Sequence, residues 1–355
     1  MDFQTLIPSP DVLQVHWPWF QGLLNVTFVL HLILMNLTLG GVLICFVHQL
    51  GGATSELDRF VVGKLPFGIA FTVNFGVAPF LFLQVIYGHF IYTSSVLMAW
   101  VWLSVIALLL IGYYGVYIYG AKWERLGTAR GYVSGVVACC FLLIAFIFEN
   151  NMTLMMEPAR WQGYFDNPGG LLLNLQEPSL LPRYLHFILS STAVAGLGLA
   201  LYGDWRLRRG HEDDLGMRKL GLRWFTGSTL AQIGVGLWFF KALPPHVRSF
   251  SGSVPAWLFM LFLSLSILAT LLSLVFAMGR KVRATALMTL ATIVFMVGVR
   301  EIVRVQYLAP YFSLSDLQVV PQYSPMLLFL LFFAGGIALI WYMVRLVITG
   351  VEVKP

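Results

Sequence analysis

Nine long apolar runs constrain the fold of this chain more than any other feature. A bilayer core about 30 Å thick needs a helix of about 20 apolar residues to cross it, and each run is of that length or longer. The sequence therefore predicts an all-α, polytopic bundle of about nine transmembrane helices. Polar or Gly/Pro-rich breaks separate the runs, which fall at about 18–48, 66–92, 95–120, 131–150, 183–203, 220–240, 255–279, 284–305 and 325–349.

Composition supports a single membrane domain. Hydrophobic residues make up 59% of the 355 residues and charged residues only 11%, about half the charge of an ordinary soluble domain. Nine spans leave room only for short connections, so we expect one transmembrane domain over 1–355. The formal net charge of +6 lies mostly in loops, which indicates contact with membrane lipid and not with nucleic acid.

The distribution of Lys and Arg predicts the orientation of the bundle. Cytoplasmic loops are enriched in basic residues, and here three alternate connections hold most of them. The connections on the opposite side, 151–182, 241–254 and 306–324, are longer or more acidic. We therefore expect the N-terminus outside and the C-terminus in the cytoplasm. The basic connections contain Lys122, Arg125 and Arg130; then Arg206, Arg208, Arg209, Arg218 and Lys219; then Arg280, Lys281 and Arg283.

Four histidines are candidates for a functional role because polar side chains inside a membrane are costly. This topology puts His31, His89, His186 and His246 in the outer half of the membrane or just beyond it. A b-type haem in a helical bundle needs an inward imidazole, a second axial ligand and basic residues for its propionates. Each histidine could instead hydrogen-bond to a neighbouring helix, so both interpretations stay open.

Charged residues near the ends of two runs suggest similar roles. Arg300 and Arg304 are four residues apart and share a face of the eighth run, with Glu301 between them. They could bind haem propionates, or they could form an interhelical ion pair. Glu149 ends the fourth run, where it could cap the helix or relay protons.

The first run resembles a known family. Its sequence HLILMNLTLG, residues 31–40, is similar to subunit I of the cytochrome bd quinol oxidases, where a haem-ligating His precedes a similarly spaced Leu-Thr-Leu-Gly. The resemblance covers most of residues 20–205, so 18–205 would be the haem-binding half and 206–355 a divergent set of helices 6 to 9. Further matches are Gly63-Lys64-Leu65, Gly76-Val77-Ala78, the segment 151–158 and Tyr184-Leu185-His186.

The resemblance implies one or two b haems in a multi-pass protein of the bacterial cytoplasmic (inner) membrane. His31 and His186 would be axial ligands of two different haems, and Met260 is the nearest candidate to pair with His186. Quinol from the membrane pool would be oxidised at the outer face.

Departures from the family pattern are also informative. Gln84 stands where the oxidases have a glutamate beside the oxygen-reducing haem, and Glu301 lies about two residues from the register of another haem-ligating glutamate. The family's long quinol loop is reduced to about 241–254, which contains Lys241 and His246. Because an imidazole has an ordinary pKa of about 6.5, His246 is a candidate proton acceptor.

Together these features predict an oxidoreductase component: a b-type haem subunit of a respiratory complex that oxidises quinol and passes electrons to a c-type cytochrome. A divergent quinol:oxygen oxidase subunit I and a haem-free membrane anchor are the alternatives. A transporter ranks last, since the sequence lacks the paired broken helices typical of that class.

Overall fold

Nine long helices dominate the computed structural model, which describes residues 3–51, 56–166, 168–212, 216–249 and 254–349. Their apolar composition and the closely spaced breaks produce the helices expected from the sequence, and the described residues contain no strand. The all-α bundle is thus confirmed. In chain order the helices are α1 Trp17–Leu50, α2 Glu56–Leu97, α3 Ala99–Ala121, α4 Arg130–Met156, α5 Leu180–Arg208, α6 Met217–Ala242, α7 Ala256–Met278, α8 Val282–Leu308 and α9 Tyr323–Thr349.

Eight of these helices are long and apolar enough to cross a membrane. The protein is therefore a multi-pass membrane protein. The exception is α6, Met217–Ala242, which is not among the eight. Its first turns carry Arg218, Lys219 and Arg223, and these charges lower the apolar content of the helix.

Helix α2 is longer than the apolar run that predicts it, because it continues through two prolines. It begins at Glu56, ten residues before Pro66, and also contains Pro79. A proline inside a helix removes one backbone hydrogen bond and bends the chain but does not always end the helix. A kink does occur at Tyr87, whose φ of −118° and ψ of 25° are not helical.

Helix α4 also extends past its expected end. The sequence places the exit near Glu149, whereas the helix continues to Met156. Asn150, Asn151 and Met155 in this extension are fully buried. Asn151 accepts a hydrogen bond from Ser94 of α2, so the last turns of α4 belong to the core of the bundle.

Contacts between elements identify the two ends of the bundle. At the basic end, Arg218 of α6 and Arg283 of α8 surround Asp204 of α5. At the other end, termed here the loop end, Leu13 donates its backbone N–H to the Gln318 carbonyl. The histidine and arginine candidates on α5 and α8 lie toward the loop end.

Close backbone contacts hold α1, α5 and α6 together. A Cβ atom on Gly40 of α1 would collide with the backbone carbonyl of Ser191 on α5. Gly196 of α5 and Gly221 of α6 oppose each other in the same way. Small residues that permit such contact are typical of helix pairs in membranes.

Candidate functional site

A buried group of charged side chains lies between α4, α5 and α8, and we call it the arginine cluster. It consists of Arg183, Arg300 and Arg304 with Glu149 and Glu301. Arg300 interacts electrostatically with the other four. Arg304 is 2% exposed and Glu149 is 8% exposed, so water screens this cluster poorly.

Arg183 is the least satisfied member. Its Nε lies 4.0 Å from Glu149 Oε2, which is too long for a hydrogen bond. Within the described residues, both Nε and Nη2 are buried and make no hydrogen bond. The guanidinium group instead packs over the ring of Phe239, with Cζ 5.2 Å from the ring centroid.

The cluster carries excess positive charge. Three arginines face two glutamates, so at least one arginine has no carboxylate of its own within the cluster. A buried charge without a partner is costly. The cluster therefore favours an anionic ligand.

One side of the cluster is firmly paired. Glu301 accepts hydrogen bonds from Tyr87 of α2 at 2.9 Å and from Arg304 at 2.6 Å. Arg300 has a different neighbour, since its Cζ lies 4.3 Å from the ring centroid of Phe28 on α1. Arg304 is thus held in an ion pair, whereas Arg183 and Arg300 both interact electrostatically with Glu149 and pack against aromatic rings.

His31 is held in one tautomer by α2. Its Nδ1 lies 3.1 Å from the Thr72 backbone carbonyl, which only accepts hydrogen bonds, so Nδ1 carries the proton and Nε2 keeps its lone pair. The ring lies against Gly76, where a Cβ atom would come within 2.8 Å of Cε1. Ligating histidines are commonly held by such a bond to a carbonyl.

His186 has one ring nitrogen bonded and one free. Its Nε2 accepts a hydrogen bond from the side-chain amide nitrogen of Gln232 on α6 at 3.1 Å, so Nδ1 carries the proton. Nδ1 is buried and has no hydrogen-bond partner among the described residues. Because His186 is one helical turn from Arg183, an unsatisfied imidazole and an unsatisfied guanidinium lie on the same part of α5.

Other predicted residues lie elsewhere. Met260 of α7 is 54% exposed, so its position gives the proposed pairing with His186 no support. Gln84 is half-buried on α2. Lys241 and His246 are exposed at the loop end, where the His246 ring packs edge-on to Tyr307. Residues 250–253 of the expected quinol segment lie outside the described residues.

A second group of polar side chains lies at the loop end. Tyr307 donates to Glu177 at 2.9 Å, and Asn174 donates to Glu157 at 3.0 Å. Burial and a hydrogen bond with Glu177 raise the pKa of Glu157 to about 7. Burial alone would raise the pKa of Glu177, but hydrogen bonds from Glu157, Ser179 and Tyr307 lower it overall.

Several of these residues carry no sequence signal that would single them out as functional. Arg183, Gln232 and Tyr307 take part in the contacts above, but none lies in a recognisable motif. Arg183 gave the clearest available signal, since it is a lone basic residue three positions before His186. This spacing puts the arginine one helical turn from a candidate ligand, which is the signal that predicts a propionate partner.

The residues present fit a b-type haem. Its iron takes axial imidazole ligands, and its two propionates bind to arginines. Nε2 of His31 has the lone pair that the first requirement needs, and the unpaired donors of Arg183 suit the second. His186 would meet the first requirement only by giving up the bond that its Nε2 accepts from Gln232, because its Nδ1 carries the proton. The described residues contain no group of three or more His, Cys, Asp or Glu side chains placed to hold a metal ion.

No protein-family model matches this chain, and no curated protein matches it. The resemblance to subunit I of the cytochrome bd oxidases therefore rests on the sequence motifs quoted above.

Proposed function

We propose that this chain is a b-type haem subunit of a membrane electron-transfer complex. It takes electrons from quinol at the outer face and passes them to a c-type cytochrome partner. The observation that carries the proposal is the buried, unpartnered Nδ1 of His186 beside the unpaired donors of Arg183. Imidazole is an axial ligand of haem iron, which His186 would provide through Nε2 in place of its bond to Gln232, and the Arg183 donors would hold a propionate.

The protein's own residues would position the haem and move protons. His186 and His31 would ligate iron, and Arg183 and Arg300 would bind propionates. The haem would supply one-electron transfer. Oxidation of one quinol to quinone releases two electrons and two protons, and the electrons would leave to the cytochrome partner.

The distribution of basic residues supports an orientation in which the loop end faces outward, as quinol oxidation at the outer face needs. The basic end gathers Asp204 with three arginines, Arg208, Arg218 and Arg283, so it carries the positive charge expected of a cytoplasmic surface. The loop end, with Glu157 and Glu177, would then face outward in the bacterial inner membrane. Protons released there would leave on the outer side.

The haem content of the purified protein tests this proposal. We expect a b-type pyridine haemochrome spectrum, and we expect His186→Ala and His31→Ala each to remove part of the haem. His211→Ala is the matched control, because His211 is exposed and lies outside the spans. A well-folded protein without haem would overturn the proposal and favour the membrane-anchor alternative.

Oxygen consumption distinguishes the proposed function from that of a divergent terminal oxidase. A divergent terminal oxidase would consume oxygen when supplied with quinol, whereas a subunit that reduces a c-type cytochrome would not. Gln84 favours the second outcome, because an amide does not take up and release protons as a carboxylate does.

A further inference from the structure

Arginines from three helices converge on one carboxylate at the basic end of the bundle. Arg208 of α5 donates a hydrogen bond from Nε to Asp204 at 2.7 Å. The Nε atoms of Arg283 and Arg218 lie 3.8 Å and 4.0 Å from the same carboxylate, which is too far for a hydrogen bond. Asp204 therefore holds the three arginines together but balances the charge of only one. We call these four residues the Asp204 site.

The two weakly paired arginines are accessible from outside the protein. The side chain of Arg283 is 67% exposed and that of Arg218 is 32% exposed, whereas the side chain of Asp204 is 9% exposed. Arg218 Nη2 donates to the Arg280 carbonyl at 2.9 Å, which fixes its guanidinium group beside the connection between α7 and α8. An arriving anion would therefore meet the guanidinium groups before it met the carboxylate.

The chain around the Asp204 site adds further positive charge. Segments 204–219 and 279–283 together hold eight Lys or Arg residues and four Asp or Glu residues. Helices α6 and α8 begin in these connections, and a helix N-terminus carries partial positive charge. Arg218 and Arg283 are the second residues of these helices, whose first turns, described in full, contain no acidic residue. Basic residues in a first turn are unfavourable unless an anion offsets them.

An exposed apolar stripe runs from the Asp204 site along α8. Leu287, Leu290 and Val294 follow Arg283 at spacings of four, three and four residues, so they share its face of the helix. All three side chains are exposed. At 1.5 Å per residue the stripe extends about 16 Å from Arg283, which is about half the thickness of the hydrocarbon core. Its length thus suits an acyl chain of one leaflet.

We propose that the Asp204 site binds an anionic phospholipid, with the headgroup phosphate on Arg218 and Arg283 and an acyl chain along the stripe on α8. Guanidinium groups form charge-assisted hydrogen bonds with phosphate oxygens, and basic sites between membrane helices bind such headgroups. A free phosphate ion would use the same arginines but not the stripe. The site is at the opposite end of the bundle from the arginine cluster, so it does not depend on the proposed haem function.

Native mass spectrometry of the full-length protein in a non-ionic detergent tests the proposal. Delipidated protein is titrated with dioleoylphosphatidylglycerol, with dioleoylphosphatidylcholine and with glycerol phosphate, which has the phosphate but no acyl chain. We expect the phosphatidylglycerol to bind at least about fivefold more tightly than either of the others, since one charge contact near a membrane surface contributes about that factor. Equal binding of phosphatidylcholine would exclude selection for an anionic headgroup. Equal binding of glycerol phosphate would indicate a free-phosphate site, and either result would overturn the proposal.

Variants locate the binding on the chain. We expect Arg283→Gln to weaken phosphatidylglycerol binding about fivefold, and its melting temperature should not change because this side chain is exposed. Arg283→Lys keeps the charge and should retain most of the affinity. Arg218→Gln should weaken binding as Arg283→Gln does. Arg125→Gln is the matched control, since it removes one exposed positive charge from a different basic connection.

The comparison of Arg283→Gln with Arg125→Gln decides the outcome even if Arg218→Gln fails to fold. A loss of affinity in the first variant but not in the control supports the Asp204 site. Wild-type affinity in folded Arg283→Gln would overturn the proposal. An equal loss in Arg125→Gln would also overturn it, because the lipid would then respond to overall charge and not to this site.

Discussion

The Glu157 and Glu177 side chains form a hydrogen bond with each other at the loop end. Their hydrogen bond places two carboxyl groups together in a largely buried location, and two such groups do not both ionise readily. The pKa of Glu157 is accordingly raised to about 7, whereas that of Glu177 is lowered.

This pair predicts a pH dependence of stability. In the unfolded chain Glu157 loses its proton near its ordinary pKa of 4.5, but in the folded protein it keeps the proton up to about pH 7. The folded state therefore binds more protons over this interval, and the free energy of unfolding falls as pH rises from about 4.5 to 7. We expect Glu157→Gln to remove this decline.

Melting temperatures of wild type and Glu157→Gln between pH 4 and 8 check the prediction. The difference between the two curves isolates Glu157 from the other titrating groups. A wild-type decline that persists unchanged in the variant would show that Glu157 does not hold the proton. Glu177→Gln should behave differently, because a carboxyl with a lowered pKa contributes stability that is lost as the pH falls through that pKa.

At the residue scale, the histidines that are candidate haem ligands could be predicted from the sequence. The side chains that lie beside them in the structure could not. His31 and His186 stand out because a polar ring in an apolar run needs an explanation. Arg183 looks like an ordinary interfacial residue at the start of its helix. Its buried, unpaired donors depend on the positions of α4, α6 and α8, which local sequence does not determine.

Helix pairs depend on a few glycines, and α6 offers a matched comparison. A Cβ atom on Gly221 would collide with the backbone carbonyl of Gly196 on α5, whereas a Cβ on Gly227 of the same helix has no atom within 4 Å. We expect Gly221→Ala to destabilise the protein by about 1–3 kcal/mol through overpacking. Gly227→Ala should be neutral or slightly stabilising, because alanine favours helix.

Thermal unfolding of the two variants in detergent checks this comparison. Equal melting temperatures would contradict the close contact between α5 and α6. An unfolded Gly221→Ala protein would agree with it, provided that Gly227→Ala folds normally.

At the element scale, hydrophobic runs predict the existence of helices better than their ends. All nine helices occur near their expected positions, but α2 begins ten residues early and α4 ends six residues late. Pro66 resembles a start signal, and Glu149 followed by two asparagines resembles an exit. Tertiary contacts override both signals, because the chain beyond each one is buried against other helices.

For the whole molecule, the last helix differs from the rest. The most apolar 18 residues of α9 are not buried by the rest of the chain. In α1 and α5, at least half of the most apolar 18 residues are buried. The described residues of α9 therefore contribute little to the packing of the bundle. Within this chain, lipid would be its main neighbour.

This arrangement predicts that the sequence of α9 can be changed at little cost. Replacing residues 326–344 by a leucine–alanine helix should leave the melting temperature and any haem spectrum unchanged. The same replacement over residues 259–276 of α7 should destabilise the protein, since Phe259, Ser266 and Ala269 are buried there. Thermal unfolding of both variants is the measurement, and a large loss from the α9 replacement would contradict the prediction.

The short backbone pairing at the loop end also affects the order of folding. Leu13 bonds to Gln318, and Val320 bonds back to Leu13, although these residues are more than 300 positions apart. During synthesis, the N-terminal segment cannot complete this pairing until almost all the helices exist. Pro8 and Gln318 line a pocket beside His89 whose walls come from both segments, so this pocket is among the last parts of the protein to form. A growing chain with its first haem-ligand candidates already placed would therefore still lack this part of the loop end.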